Sequence, residues 1–256
     1  MLNNFFLSPL EQFTLLPVKF CPFIESSSFT NETIILLLIS IFFYIFYKAL
    51  LTPQNSFLVI PSNYQLILEF FNNLISSIIT ENIKHKDRAK YFPLIFTLFL
   101  TVLTLNLIGL IPYSYTLTSQ LVITLTLSCS FFIGINIISV KKNGLKFFAL
   151  FLPAGTNLAL AFLLIPIELI SYIFKPISLA VRLFANMMAG HTLLKVIAGF
   201  ASTLTIKGGF FSTLSFFPLV ILIPLFGLEL AVALIQSYVF VVLVSIYIQD
   251  SISVAH

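Results

Sequence analysis

Long apolar runs dominate this sequence and limit what the chain can fold into. Residues 92–112 and 119–140 contain no charged side chain, and each has roughly the 20 apolar residues that a helix needs to cross a bilayer. Charged residues make up only 9% of the whole chain, whereas a soluble domain carries about 25%. The sequence therefore predicts an all-α polytopic membrane protein, with a single membrane domain over residues 1–256.

Two further segments complete the first half of this prediction. Residues 33–51 form another apolar run of spanning length. Residues 63–83 combine a wide apolar face with a narrower polar stripe, a pattern typical of an amphipathic helix that lies along the membrane interface. Residues 1–32 form an N-terminal segment of mixed polar and apolar residues. The sequence leaves open whether this segment is cleaved.

Two basic loops predict the orientation. They lie at 84–90 and 141–146 and are separated by two predicted spans, so both face the same side. Because positive loops stay inside, that side is the cytoplasm or matrix, and the N-terminus lies outside. The net charge of +4 is small and sits mainly in such loops. It indicates orientation rather than a nucleic-acid partner.

The runs 156–203 and 210–250 are too long for ordinary spans. Each exceeds 40 residues, which as a straight helix is about 60 Å, twice the ~30 Å hydrocarbon core. Each is either a hairpin or a strongly tilted helix, and the absence of a polar turn inside them favours tilt. The sequence thus predicts about five membrane-embedded helices plus one interfacial helix, with the last two long and strongly tilted.

Ionisable residues interrupt the first of these long runs: Glu168, Lys175, Arg182, His191 and Lys195. An arginine near the bilayer centre costs roughly 2.5–3.5 kcal/mol on insertion scales. Its side chain cannot avoid this cost by losing its proton. Arg182 therefore needs a partner, water or a function.

Helical spacing places several of these residues on one stripe. Glu168, Lys175 and Arg182 are seven residues apart, and Asn186 follows four residues later. Small residues lie beside the stripe and allow close approach of another helix: Ser171, Ser178, Ala185 and Ala189. His191 is about half a turn away from Arg182 on the helical wheel and serves a different surface.

The segment Arg-Leu-Phe-Ala-Asn-Met-Met-Ala-Gly-His at 182–191 resembles subunit a of the F-type ATP synthase. Further matches are Leu-Pro-Ala-Gly at 152–155, Ile-Pro-Tyr-Ser-Tyr-Thr at 111–116, and 227–240. The resemblance implies two long tilted helices around a ring of c subunits, with Arg182 as an essential gate facing the ring carboxylates. It also implies peripheral-stalk and other Fo subunits as partners. The mitochondrial inner membrane is the expected location, and a bacterial plasma membrane is the alternative.

The predicted topology also gives depths. Glu168 precedes Arg182 by 14 residues, which places it about 21 Å toward the inside. His191 follows Arg182 by nine residues, about 13 Å toward the outside. The next helix returns inward, so Glu229 can meet His191 at the outer end and Gln236 can meet Arg182.

This arrangement predicts a proton pathway in two halves. Protons enter past His191 and Glu229, bind a carboxylate of the partner ring, and leave near Glu168. Arg182 attracts the deprotonated carboxylate and prevents direct leakage. Ser171 and Tyr172 are candidates for lining the inner pocket. Three of the candidate residues could instead have a purely structural role. Lys175 could belong to an ion-pair stripe, and Asn186 and Gln236 could form hydrogen bonds between helices. Asp250 and His256 are assigned to the tail.

Two rival functions are a membrane subunit of a redox complex and a secondary ion transporter. The first needs paired histidines inside the membrane, and only His191 qualifies. The second is expected to show internal repeats, and the sequence has none. Cys21 and Cys129 have no ligand-like spacing, so no metal or cofactor is expected. No P-loop is present, so the chain is expected to bind no nucleotide and to be no enzyme on its own.

Overall fold

The structure is a computed structural model that describes residues 13, 30–51, 63–83, 88–111, 115–144, 147, 158–207, 209 and 213–253. Several predicted features lie wholly or partly outside these residues: most of 1–32, Lys84 to Asp87 and Lys146 of the basic loops, the 152–155 motif, Cys21, His85 and His256.

The described part of the chain is helical and contains no β-strand. This confirms the predicted all-α class. Six helices follow one another, with one 3-10 turn at Leu117–Ser119. They are α1 (Asn31–Leu51), α2 (Asn63–Asn82), α3 (Arg88–Gly109), α4 (Leu121–Asn143), α5 (Leu158–Lys207) and α6 (Phe216–Ser253).

Four of the helices are long and apolar enough to cross a membrane. They are Arg88–Gly109, Leu121–Asn143, Phe162–Lys207 and Phe216–Ser251. α1 adds a shorter apolar stretch, Glu32–Tyr44. The chain is therefore a multi-pass membrane protein, as its apolar runs predict.

α5 is one continuous helix of 50 residues, so it is not a hairpin. Pro166 and Pro176 lie inside it, and Pro224 lies inside α6. A straight helix of that length measures about 75 Å at 1.5 Å per residue, more than twice the hydrocarbon thickness. Between α5 and α6, Gly209 has a φ of 59°, a left-handed conformation that glycine adopts without strain.

α3 begins four residues before the predicted span, because the basic segment continues into it. The guanidinium of Arg88 donates from Nε to the carbonyl oxygen of Ile83 at 2.8 Å. It also donates from Nη2 to the carbonyl oxygen of Thr80 at 2.7 Å. A cation there satisfies the last carbonyl groups of α2 and opposes the negative end of its dipole.

The chain divides into two compact units. The first unit contains Met1–Val59, Leu103–Gln120 and Phe184–Ile235. The second unit contains Ile60–Val102, Leu121–Leu183 and Gln236–His256. Each unit is described by itself below.

In the first unit, Tyr115 links α1 to the segment that follows α3. Its hydroxyl donates to Glu32 Oε1 at 3.3 Å and accepts a hydrogen bond from Gln120 Nε2. Burial, together with the nearby Glu32 carboxylate, raises the pKa of the Tyr115 hydroxyl well above its usual value. The hydroxyl therefore stays protonated and keeps its role as donor.

In the second unit, polar contacts fix the end of α6. Asn143 Nδ2 and Ser139 Oγ both donate to the carbonyl oxygen of Ser251, at 2.6 and 3.2 Å. One and a half turns earlier, Ser245 Oγ accepts from Asn82 Nδ2 at 2.9 Å. α2 and α4 thus hold the last turns of α6 in a defined rotation, which sets the direction of Asp250.

Candidate functional site

α5 and α6 bring a histidine and a carboxylate together inside the first unit. His191 Nδ1 lies 3.2 Å from Glu229 Oε1. The two side chains are only 14% and 4% exposed. Ionisable groups buried in apolar helices are costly and mark functional sites, so this pair is the first candidate site.

The pair keeps several polar atoms without a hydrogen-bond partner among the described residues. These are His191 Nε2 and both carboxylate oxygens of Glu229. The 3.2 Å approach is close but lacks the alignment of a hydrogen bond. Because buried polar atoms are normally hydrogen-bonded, each of these three atoms can take part in a further hydrogen bond.

Gly190 explains how Glu229 lies so close to α5. A Cβ atom at position 190 would lie 2.9 Å from Glu229 Oε1 and 3.2 Å from both its Cδ and Cγ. Real Cβ atoms almost never approach so closely. Glycine therefore leaves the space in which the Glu229 side chain reaches His191.

Asn106 is a further polar group of the first unit, and the sequence analysis did not single it out. It is fully buried in α3. Its Nδ2 donates to the carbonyl oxygen of Ala233 at 3.3 Å, one turn beyond Glu229 on α6, while its Oδ1 has no hydrogen-bond partner among the described residues. The only signal in the sequence was a lone asparagine within an uncharged apolar run.

Arg182 occupies an exposed position on α5, in the second unit. Val181 beside it is exposed, and so are the small residues Ser178, Ala185 and Ala189. The described residues place no carboxylate in an ion pair with Arg182. A permanent charge on a smooth, exposed helix surface is accessible to a group outside this chain.

A second ionisable cluster lies in the second unit, around Lys175. Its Nζ is 3.6 Å from Asp250 Oδ2, 5.4 Å from the centre of the Tyr172 ring and 5.1 Å from that of Tyr247. Tyr172 in turn donates a hydrogen bond to Asn136 Oδ1. The ammonium is thus held by one carboxylate and two aromatic faces.

This cluster borders a small cavity, which is lined by Tyr172, Lys175, Tyr247 and Asp250 together with Phe132, Ile135 and Ser251. The cavity measures about 10 Å³, roughly the space of one water molecule.

The position of Asp250 corrects one assignment from the sequence. The assignment of Asp250 to the tail is wrong, because Asp250 lies on α6 and forms the ion pair with Lys175. Lys175 accordingly pairs with another helix and not within the Glu168–Lys175–Arg182 stripe. Seven residues separate the members of that stripe by about 10 Å along the axis, too far for a direct ion pair.

The other predicted residues lie on the same two long helices. Glu168 is half-buried and Ser171 is exposed. Asn186 is half-buried in the first unit, and Gln236 is 4% exposed in the second. Within the described part of the chain, no group of three or more His, Cys, Asp or Glu residues is placed to hold a metal ion.

Long apolar helices that carry a buried histidine–carboxylate pair and a second, partly exposed ion pair define a multi-pass membrane protein with ionisable groups inside its spans. The sequence model of the family described as ATP synthase A chain matches residues 31–249. The chain therefore belongs to this family, subunit a of the membrane sector Fo of the F-type ATP synthase.

Relatives cover almost the whole chain. ATP synthase subunit a of Chondrus crispus is 48% identical over 95% of each chain. That of Pylaiella littoralis is 47% identical over 96% of this chain and 98% of its own. That of Marchantia polymorpha is 42% identical over 96% and 98%. Membership of this family supports the interpretation of the chain as an Fo subunit, and not the two rival interpretations as a redox-complex subunit or a secondary transporter.

Proposed function

We propose that this chain is the proton-translocating stator subunit of the ATP synthase. It provides two offset aqueous half-channels to the carboxylates of a c-subunit ring, and Arg182 separates them. The observation that carries the proposal is the buried His191–Glu229 pair. A histidine beside a carboxylate accepts and releases protons near neutral pH, and ionisable residues buried between membrane helices mark proton and ion pathways.

The first half-channel uses the pair and its surroundings. A proton arriving from outside binds Glu229 or His191 Nε2, and passes to the carboxylate of the rotating partner. Asn106 supports this route, since its Nδ2 binds the carbonyl oxygen of Ala233, one turn along α6 from Glu229, and its Oδ1 is available as an acceptor. Asn186 on α5 and Gln236 on α6 are further polar side chains of the proposed pathway.

The second half-channel uses the Lys175 cluster. Asp250 is 47% exposed and Lys175 is 27% exposed, so both side chains are accessible from outside the helices. Together with Glu168, Asp250 offers a carboxylate that receives a proton released by the ring. Tyr172 and Tyr247 position the ammonium of Lys175 beside the Asp250 carboxylate.

Arg182 separates the two routes by electrostatics. Its permanent charge attracts a deprotonated ring carboxylate and repels a proton that would pass directly between the half-channels. The exposed small residues beside it let a ring helix pass at close range. The chain itself carries no nucleotide-binding motif, so ATP chemistry belongs to other subunits of the complex.

The arrangement of His191 and Glu229 resembles the mitochondrial form of the family, so the proposed location is the mitochondrial inner membrane. The ion is the proton, since His191 and Glu229 are groups that titrate and do not form an oxygen-rich sodium site.

An exchange of the two residues tests the first half-channel. His191→Glu and Glu229→His alone are expected to lower ATP-driven proton pumping roughly 100-fold, because each leaves two like groups facing each other. The double exchange restores one histidine and one carboxylate and is expected to recover a large part of the flux. Pumping is measured in inverted membrane vesicles, with assembly checked on native gels.

The matched control is Thr192→Ala. Thr192 is adjacent to His191, and its hydroxyl donates to the carbonyl oxygen of Ala189 on its own helix. This variant is expected to pump normally. If the double exchange is no better than the worse single variant, the two residues do not act as a pair and the first half-channel is wrong.

A further inference from the structure

A basic cleft lies in the second unit, where α3 begins and α4 ends. It has a volume of about 410 Å³ and is lined by Lys90, Tyr91, Ile138, Lys141 and Lys142. Small-molecule sites in proteins typically measure about 300–1,000 Å³. None of these side chains has a part in the proposed proton pathway.

The cleft concentrates positive charge. All three lysines are exposed, and the described lining includes no carboxylate. Tyr91 is buried, 3% exposed, and the ammonium of Lys90 lies 5.7 Å from its ring centre. Three cations around one volume select an anionic ligand.

Simpler roles for the lysines do not account for the cleft. Lysines at the ends of spans fix orientation, and Lys141 and Lys142 in the last turn of α4 oppose the helix dipole. Either role is met by lysines that point into solvent independently. Neither requires lysines from two different helices to line the same volume.

The position of the cleft indicates which anion. α3 and α4 are candidate spans that follow one another, so the start of one and the end of the other lie at the same membrane face. An exposed apolar stripe on α4, Ile133, Ile137 and Val140, leads from Lys141 toward the middle of the span. The charged cleft is therefore continuous with an apolar surface at the depth of lipid headgroups.

We propose that this cleft binds an anionic phospholipid. The headgroup phosphate lies among Lys90, Lys141 and Lys142, and an acyl chain follows Ile137 and Ile133 into the bilayer. Basic pockets between membrane helices on the inner face suit lipids with one or two phosphates. A free phosphate shares the charge but makes no use of the apolar stripe.

The test uses the purified ATP synthase complex in nanodiscs with a photoactivatable cardiolipin. Labelling is expected on the peptide that contains residues 133–142. Each lysine contributes about 5-fold to affinity for an anionic lipid, so the triple change Lys90→Gln, Lys141→Gln and Lys142→Gln is expected to weaken binding about 100-fold. The control Lys207→Gln removes an exposed lysine at the end of α5 and is expected to label normally.

Two further variants separate the site from general charge effects. Replacement of the three lysines by arginine keeps the charge and is expected to keep the labelling. Ile138→Trp fills the cleft without changing the charge or the orientation signal, and is expected to lose the labelling even if the triple variant fails to insert.

Three results would overturn the proposal. One is equal labelling of the wild type and Ile138→Trp. The second is equal labelling by a photoactivatable phosphatidylcholine. The third is displacement of the cardiolipin probe by inorganic phosphate at millimolar concentration, which would identify a free anion as the ligand.

Discussion

Arg182→Ala is expected to abolish ATP-driven proton pumping while the complex still assembles. The side chain of Arg182 is exposed on α5, and substitutions at exposed positions usually change stability by no more than about 0.5 kcal/mol. The charge therefore contributes little to the fold of this chain. Without it, a deprotonated ring carboxylate has no cation to face. Vesicle acidification together with native gels measures both outcomes.

Two companion variants sharpen this prediction. Arg182→Lys keeps a charge but loses the planar donors that bind a carboxylate through two hydrogen bonds, so pumping is expected to fall at least about 10-fold. Val181→Ala changes the exposed neighbour of Arg182 on the same helix and is expected to pump normally. Normal pumping by an assembled Arg182→Ala complex would contradict the proposed gate.

Gly190→Ala is expected to lower pumping as strongly as the single exchanges of His191 and Glu229, because it changes the position of Glu229. The added methyl group would lie 2.9 Å from Glu229 Oε1, so the carboxylate must move away from α5 and lose its 3.2 Å approach to His191. Pumping is expected to fall roughly 100-fold, the loss that a misplacement of about 1 Å can cause. Gly190 acts as a positioning residue in this account, since it carries no proton itself.

The same substitution elsewhere on α5 provides the control. Nothing lies within 4 Å of a Cβ built at Gly199, so Gly199→Ala is expected to pump normally. Alanine favours a helix over glycine by about 1 kcal/mol, so neither variant should weaken α5 itself. Equal pumping by the two variants would mean that proton transfer tolerates displacement of Glu229.

The sequence predicted the helices because a bilayer imposes a simple length requirement on uncharged runs. The two spans 92–112 and 119–140 correspond to α3 and α4, shifted by a few residues where charged ends join the helix. Proximity of His191 and Glu229 was predicted by counting residues along two antiparallel helices. That argument needs only the helix rise and the direction of each run.

Contacts that depend on how each helix is rotated about its own axis could not be predicted from the sequence. Asp250 lies near the end of α6, and the rotation that turns it toward Lys175 is fixed by hydrogen bonds from other helices, such as those from Ser139 and Asn143 to Ser251. Asn106 had no charge to distinguish it from other residues of its span. The cleft at Lys90 joins the ends of two helices, and spacing within either helix does not reveal it.

Passive proton leak through the membrane sector tests the central claim most directly. The claim is that Arg182 is the barrier between two routes, one of which passes through Glu229. Vesicles stripped of the catalytic sector are compared for the wild type, Arg182→Ala, and Arg182→Ala combined with Glu229→Gln. The account predicts a raised leak in Arg182→Ala that returns to the wild-type level in the combined variant. An equal leak in the two variants would contradict it, because protons would then cross without using Glu229.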